Sequence, residues 1–365
     1  MLYAFLFFVL VCLAVVLFLN VHPVFGGNAS KEQKQAYTGL NNYMNGKFVN
    51  LVPTNMNMSA RDLFSMIRDS FSGGTDRKPR GDIPVSPIDW TLINGEEDIL
   101  TWFGHSAFLL SIDRKKLLVD PMFGPVASPV SFAGSKRFSK DMLSVLDQMP
   151  FLDAVLITHD HYDHLDYPSI KKLMHKVGHF FVPLGVGAHL LRWGVAKEKI
   201  TELNWWDERV FEGLTIAFTP SKHFSGRGVL NRDSTLWGGW VVLGQQTRFY
   251  TSGDGGYDAH FLDIGKKYGP FDMTLIEGGQ YDRRWSWVHM QPEEAVQAHL
   301  DVRGKTMMLI HWGAFSLAFH GWAEPVERAW KQAEATHVPL IAPKIGETVY
   351  LHKQRSLSVS PWWKE

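Results

Sequence analysis

The chain has 365 residues, with Lys plus Arg and Asp plus Glu equal at 37 each, so no bulk charge marks it as a nucleic-acid binder. That length leaves room for one large domain or two ordinary ones, with ample core in either case. A single cysteine, Cys12, excludes intramolecular disulfides and leaves the fold compatible with either redox environment.

Met1–Leu19 carries no charged side chain and is long enough to cross a bilayer as a helix. Residues 1–27 read as an uncleaved anchor with its flank. A signal peptide is the rival, but the amino-terminal region has no Lys or Arg and no small-x-small cleavage site precedes Gly26. Lys31 and Lys34 follow the span, a positive-inside hint that leaves the membrane side open. Residues 28–98 are polar and rich in Asn, Gly and Pro, and read as a connecting arm. Within it, Ser59–Phe71 is expected to be helical. Ser59 and Asp62 have capping-box spacing, Leu63, Phe64, Ile67 and Phe71 recur at helical intervals, and Gly73-Gly74 end the run. Packing of this helix on the domain is preferred over a place on a membrane surface, although the periodicity suits both.

From Ile99 the pattern turns to strands, at Ile99–Phe103, Phe108–Ile112 and Lys116–Val119, the last two joined by a turn around Asp113-Arg114-Lys115. A short apolar run, Ala154–Ile157, has the length and branching of a buried strand. Helices are expected at Tyr167–Val177, Gly187–Trp193, Pro292–Asp301 and Pro325–Ala335. Further strands fall at Phe180–Val182, Thr215–Phe218, Trp240–Leu243, Arg248–Ser252 and Met307–Ile310. Two groups of strands with helices between them imply two sheets covered by helices, over residues 99–352, with 353–365 left as a tail.

The stretch Asp153–Asp166, DAVLITHDHYDHLD, delivers His159, His161, Asp163 and His164 within six residues of a strand end. Positions i, i+2, i+4 and i+5 cannot share one face of a regular strand, so a loop folding back on itself suits them. Imidazole nitrogen and carboxylate oxygen are zinc ligands, and four together can begin two metal sites. A solvated, histidine-rich loop is the bland alternative. More candidates follow at other strand ends. They are His223 after Thr219-Pro220-Ser221-Lys222, Asp254 in Ser252-Gly253-Asp254-Gly255-Gly256, and His311 after Met307–Ile310. There is no G-x-S-x-G elbow and no Walker A motif.

The His-x-His-x-Asp-His run resembles the signature of the metallo-β-lactamase superfamily. Over about Ile99 to Leu351 the chain is most similar to the branch of N-acyl-phosphatidylethanolamine-hydrolysing phospholipase D. It does so through WFGHS (Trp102–Ser106), FVPLG (Phe181–Gly185), TPSKH (Thr219–His223), SGDGGY (Ser252–Tyr257), PEEA (Pro292–Ala295) and IHWGAF (Ile310–Phe315). The resemblance implies an αββα sandwich of mixed α/β class with the metals at one edge of the sheets. It implies two zinc ions, one held by His159, His161 and His223 and the other by Asp163, His164 and His311, with Asp254 between them. Asp254 and Asp163 would then be catalytic, through a metal-bridging hydroxide, and His105 and Asp120 would orient ligands. The flavodiiron branch usually has a glutamate at the position of His161, so zinc hydrolysis is favoured over iron redox chemistry. Arg227, Tyr162 and His289 would face the substrate, Arg227 as a phosphate clamp or else as a solvated loop residue. Trp205-Trp206, Trp285-x-Trp287 and Phe315–Phe319 could line an acyl groove or belong to the core. The loop between Tyr281 and His289 is shorter than its counterpart in that branch.

The expected activity is hydrolysis of N-acyl-phosphatidylethanolamine to N-acylethanolamine and phosphatidic acid at a membrane, with phospholipid or another phosphodiester as partner and no nucleic acid. A lactonase or other small-ester or phosphoester hydrolase is the alternative within hydrolases. A membrane-tethered, zinc-stabilised binding protein is the alternative outside them.

Overall fold

A computed structural model describes residues 1–54, 58–71, 76–228, 230–352 and 361–364. Fourteen of its strands form two seven-stranded sheets. In chain order they are β1 (Ile99–Trp102), β2 (Phe108–Ile112), β3 (Lys115–Val119), β4 (Leu152–Leu156), β5 (Val177–Pro183), β6 (Ile200–Leu203), β7 (Glu208–Phe211), β8 (Leu214–Thr219), β9 (Gly239–Leu243), β10 (Arg248–Thr251), β11 (Phe271–Glu277), β12 (Gly304–Ile310), β13 (Leu340–Ile341) and β14 (Thr348–Tyr350). The helices are α1 (Leu2–Val21), α2 (Lys31–Tyr37), α3 (Ala60–Phe71), α4 (Trp90–Ile93), α5 (Met142–Gln148), α6 (Tyr167–Leu173), α7 (Gly187–Arg192), α8 (His260–Tyr268), α9 (Pro292–Asp301) and α10 (Glu324–Ala335).

The first sheet has the order β6-β5-β4-β3-β2-β1-β14, and the second runs from β7 to β13 in sequence order. Each begins as an antiparallel meander and becomes parallel, β3 to β6 in one and β10 to β13 in the other. Parallel neighbours need a long crossover. The chain supplies one helix for each, α5, α6 and α7 in the first sheet and α8, α9 and α10 in the second. Strands covered on both faces become continuous apolar runs, and β2 is buried at every position. The result is the expected αββα sandwich. The tight β2–β3 turn places Asp113 and Arg114 at φ +50° and +64°, the paired left-handed geometry that matches strand twist in a two-residue hairpin.

The parallel arrangement also decides where chemistry gathers. β8 and β10 both pair antiparallel with β9, and β10, β11 and β12 are parallel, so all four end at one edge. His223, Asp254, Glu277 and His311 lie at or within four residues of those ends, and the His159–His164 loop follows β4.

Several boundaries differ from the sequence reading. The helix expected over Tyr167–Val177 stops at Leu173, because Val177 opens β5 and pairs with Leu152. Strands β6, β7, β11, β13 and β14 and helices α2, α4, α5 and α8 have no counterpart in the sequence reading. Described parts of segment 28–98 pack on the sandwich, so it is not simply a connecting arm. Tyr37, Tyr43 and Phe48 form a buried aromatic cluster with ring centroids 4.9–5.5 Å apart. Gln33 Nε2 donates to Glu202 at 3.2 Å, and Asn42 Nδ2 donates to Asn204 at 2.8 Å. Ile83 and Ile93 join the main core.

Helix α3 forms where expected, capped by Ser59 and Asp62 on each other's backbone N–H. Its orientation is the reverse of the preferred reading: none of its residues is buried, and its apolar stripe faces outward. Gly73-Gly74 lie outside the described residues. α1 is long and apolar enough to cross a membrane, its 20 residues spanning about 30 Å.

The stretch read as a tail also contributes to the core, although residues 353–360 and 365 lie outside the described range. Trp362 stacks on Trp312 with centroids 5.4 Å apart, and Trp363 meets Trp312 edge-on. Trp362→Ala should therefore behave as a core truncation costing about 3–5 kcal/mol. A melting temperature within a degree of the parent would show that these indoles add nothing to stability.

Candidate metal centre

Five imidazoles and two carboxylates meet where the loops after β4, β8, β10 and β12 converge. The ligand atoms of His159, His161 and His223 lie within 4.8 Å of one another, as do those of Asp163, His164 and His311 together with His105. Asp254 Oδ2 sits 3.1 Å from His164 Nε2, 3.8 Å from His159 Nε2 and 3.9 Å from His223 Nε2. Asp254 Oδ1 lies 3.0 Å from His311 Nδ1.

The ring nitrogens turned away from the centre are already committed. His159 Nδ1 faces Thr158 Oγ1 at 3.0 Å, His164 Nδ1 faces Asp120 Oδ2 at 2.8 Å, and His223 Nδ1 faces the Val288 carbonyl at 3.0 Å. Such partners fix the ring and leave the other nitrogen for a metal. The inward nitrogens then meet one another, His159 Nε2 and His223 Nε2 lying 2.9 and 3.3 Å from His161 Nδ1. Nitrogens so placed cannot all find hydrogens, whereas a divalent cation satisfies every one of them. The donor set therefore fits a metal ion.

Burial, reinforced by neighbouring imidazoles, holds His159 and His223 well below the ordinary histidine value, in the neutral form a ligand needs. Burial also opposes a proton on His164, but the carboxylates of Asp254, Asp163 and Asp120 outweigh it and raise that ring well above the ordinary value. A cation taking Nε2 would displace that proton, so metal affinity rises with pH. Asp254 is buried too, yet His164 and His311 keep it well below the usual carboxylate range.

The two groups expected to orient ligands do touch them. Asp120 accepts from the Thr158 N–H and hydroxyl at 2.8 and 2.6 Å besides facing His164. His105 Nε2 lies 2.9 Å from Asp163 Oδ2, and His105 Nδ1 has no partner although the ring is fully buried. His105 is also close enough to count among the possible ligands.

Two contributors escaped the sequence reading. Asn50, in the supposed arm, donates through Nδ2 to the His223 carbonyl at 2.9 Å and accepts the His223 N–H at 3.0 Å. Nothing in the local sequence marks it. Glu277 ends β11 fully buried, accepting from Met290 N–H at 3.0 Å and lying 3.3 Å from His289 Nδ1. The strand-end logic that singled out His311 also applies to Glu277, had β11 been recognised. His289 borders His223 and His311 with ring centroids at 5.0 and 5.3 Å. Burial opposes its protonation, but the Glu277 carboxylate prevails and raises it above the ordinary value.

Arg227 is neither a phosphate clamp nor a solvated residue. It is buried, and its fork is filled by backbone. Nε and one terminal nitrogen donate to the Val24 carbonyl at 3.1 and 2.9 Å, and the other donates to the carbonyls of Asp160 and Leu165 at 2.7 and 2.6 Å. Four of its five N–H donors are spent on carbonyls, which leaves no fork to grip a phosphate in bidentate fashion. The Tyr162 hydroxyl is likewise taken, by the Arg227 carbonyl. The aromatic runs do not make one groove. Trp205 is core, donating to the Trp237 carbonyl, and Phe315 lies buried edge-on to His105. Trp287 is exposed, with the Lys222 ammonium 4.9 Å from its ring centroid.

A two-sheet sandwich with a buried histidine–aspartate cluster at one edge defines a metal-dependent hydrolase fold. A family profile described as beta-lactamase superfamily domain matches residues 115–312. The chain is 40% identical over 328 residues to an uncharacterized protein of Mycobacterium tuberculosis, covering 88% of this chain and 87% of that one. It is 37% identical over 248 residues to N-acyl-phosphatidylethanolamine-hydrolyzing phospholipase D 1 of Caenorhabditis elegans, covering 64% and 69%. Among solved structures, Igni18, a metallo hydrolase of Ignicoccus hospitalis, superimposes with a TM-score of 0.55 at 25% identity over 69% of this chain and 97% of that one. The chain belongs to the beta-lactamase superfamily, as a metal-dependent hydrolase.

Proposed function

We propose that the chain is a membrane-anchored di-zinc phosphodiesterase of phospholipase D type, cleaving N-acyl-phosphatidylethanolamine to N-acylethanolamine and phosphatidic acid. The observation that carries the reaction type is the paired cluster. His159, His161 and His223 would hold one ion, Asp163, His164 and His311 the other, and Asp254 lies between the two sets. The likeness to the nematode phospholipase favours the lipid substrate. Residues 1–27, with α1, are read as the anchor.

When bound, such a metal pair lowers the pKa of water and neutralises charge on a phosphoryl oxygen. The protein's part is to hold the ligands and to move protons. Asp163 is the more exposed of the two central carboxylates, 14% against 2% for Asp254. It is the group placed to take a proton from water and return it to the leaving oxygen. His105, at its Oδ2, sets the orientation of that carboxylate. With Arg227 held by backbone, the side chain left to meet the phosphate in this reading is His289, whose hold on a proton the Glu277 carboxylate strengthens.

Vesicles containing N-acyl-phosphatidylethanolamine test the reading when incubated with the zinc-loaded full chain. Free N-acylethanolamine and phosphatidic acid should appear in equal amounts. Untouched vesicle lipid alongside fast turnover of a lactone would transfer the site to the small-ester alternative, and bound metal with no turnover of any ester would favour the binding protein.

A further inference from the structure

Helix α3 is turned inside out. Its Leu63, Phe64, Ile67 and Phe71 fall within about 100° of arc, and they are 55, 72, 50 and 88% exposed. The opposite, polar side holds the helix to the domain. Arg284 donates to Ser65 Oγ at 3.0 Å and to Asp69 Oδ2 at 2.9 Å across a polar cleft of about 480 Å³. In water an amphipathic helix buries its apolar stripe against the protein and wets its polar face. The reverse arrangement suits a helix whose outer side is not in water.

We propose that the outward face of α3 rests in the surface of a phospholipid bilayer, the one that α1 would span. This rests on the anchored reading of α1. Three observations favour lipid over a second copy of the chain. First, none of the described side chains of α1 is buried, so it supplies a second apolar surface of the same kind. Second, both helices are tied to loops that border the candidate metal centre. The end of α1 reaches the His159–His164 loop through Val24 and Arg227. α3 reaches the Tyr281–His289 loop through Arg284, which also holds Asp282. Third, those and the adjoining ligand loop bear isolated apolar tips, Trp287 at 53% and Leu230 at 96% exposure. One bilayer surface lying against α3 could cover these tips as well and bring the mouth of the metal centre down to the lipid.

The test uses the full chain in phosphatidylcholine vesicles, with Cys12→Ser removing the native thiol and Ile67→Cys carrying a fluorophore. Bromine on the acyl chains should quench most of its emission, because an interfacial helix sits about 5–10 Å into the headgroup boundary. Leu63→Asp with Phe64→Asp should abolish that quenching and leave the melting temperature unchanged, since neither side chain is buried in the domain. This readout needs no substrate, so it holds or fails apart from the phospholipase assignment. A chain that co-sediments with vesicles but keeps full emission overturns the proposal while sparing the anchor. Failure to co-sediment removes both. Quenching that survives the double aspartate change, or an Ile67→Cys disulfide between chains in place of quenching, also overturns it.

Discussion

Asp254→Ala should abolish turnover and strip metal from the chain. The Asp254 carboxylate lies within 3.9 Å of both candidate ligand sets, at 3.8 and 3.9 Å from His159 and His223 and 3.1 and 3.0 Å from His164 and His311. Changing an outer partner of a metal ligand typically costs 10–100-fold in affinity or activity, and loss of a shared ligand should exceed that range. Metal analysis of the parent should return about two zinc ions per chain, the ligand set being of zinc type, and the variant fewer. Removing one member of a buried ion pair also costs about 3–5 kcal/mol, so Asp254→Asn, which keeps the shape, should accompany it. Full activity in either variant, or an active metal-free parent, ends the two-metal reading.

The second large effect concerns the amino terminus. Read as a free arm, a chain beginning at Asn28 should be indistinguishable from the parent on soluble substrate. The packing predicts the opposite. That deletion removes Val24 and Phe25, both buried, at about 1.5–3 kcal/mol each. It also takes away the carbonyl that accepts two of the Arg227 donors, at about 1–3 kcal/mol for a buried group left unpaired. Several kcal/mol corresponds to roughly 10 °C or more in melting temperature. Arg227 also frames the metal loop through Asp160 and Leu165, so zinc affinity should fall in step. A chain beginning at Asn20 loses most of α1 but keeps Val24. It also keeps the Asn20, Val21 and Gly26 carbonyls that Arg192 holds, and it should melt near the parent. Equal melting of the two truncations would return the segment to an arm.

What could be read in the sequence follows from how far apart the interacting residues lie. The loop His159–His164 is legible because four candidate ligands are contiguous and follow an apolar strand. His223, Asp254 and His311 are legible because small or apolar neighbours mark strand ends. Asn50 is invisible because its partner His223 lies 173 positions away. Tyr37, Tyr43 and Phe48 follow no helical or strand period, and only tertiary contact makes them a cluster. Arg227 follows His223 by four residues, which suggests a clamp, but sequence could not reveal that Val24, Asp160 and Leu165 hold its fork. For α3, periodicity locates an apolar stripe correctly and is silent on what the stripe faces.

The closing contacts of the sandwich set an order on its birth. β14 zips antiparallel onto β1, and Trp362 then lays its indole on Trp312. Both follow all seven candidate ligands in chain order, so the first sheet has a bare edge until after His311 has been made. His159 emerges about 150 residues before His311, on the order of ten seconds earlier. Throughout that interval the ligand set lacks at least His311, although the other six candidate ligands precede it in the chain. A full centre therefore waits for β12, and the ligands made earlier must be held open until it arrives.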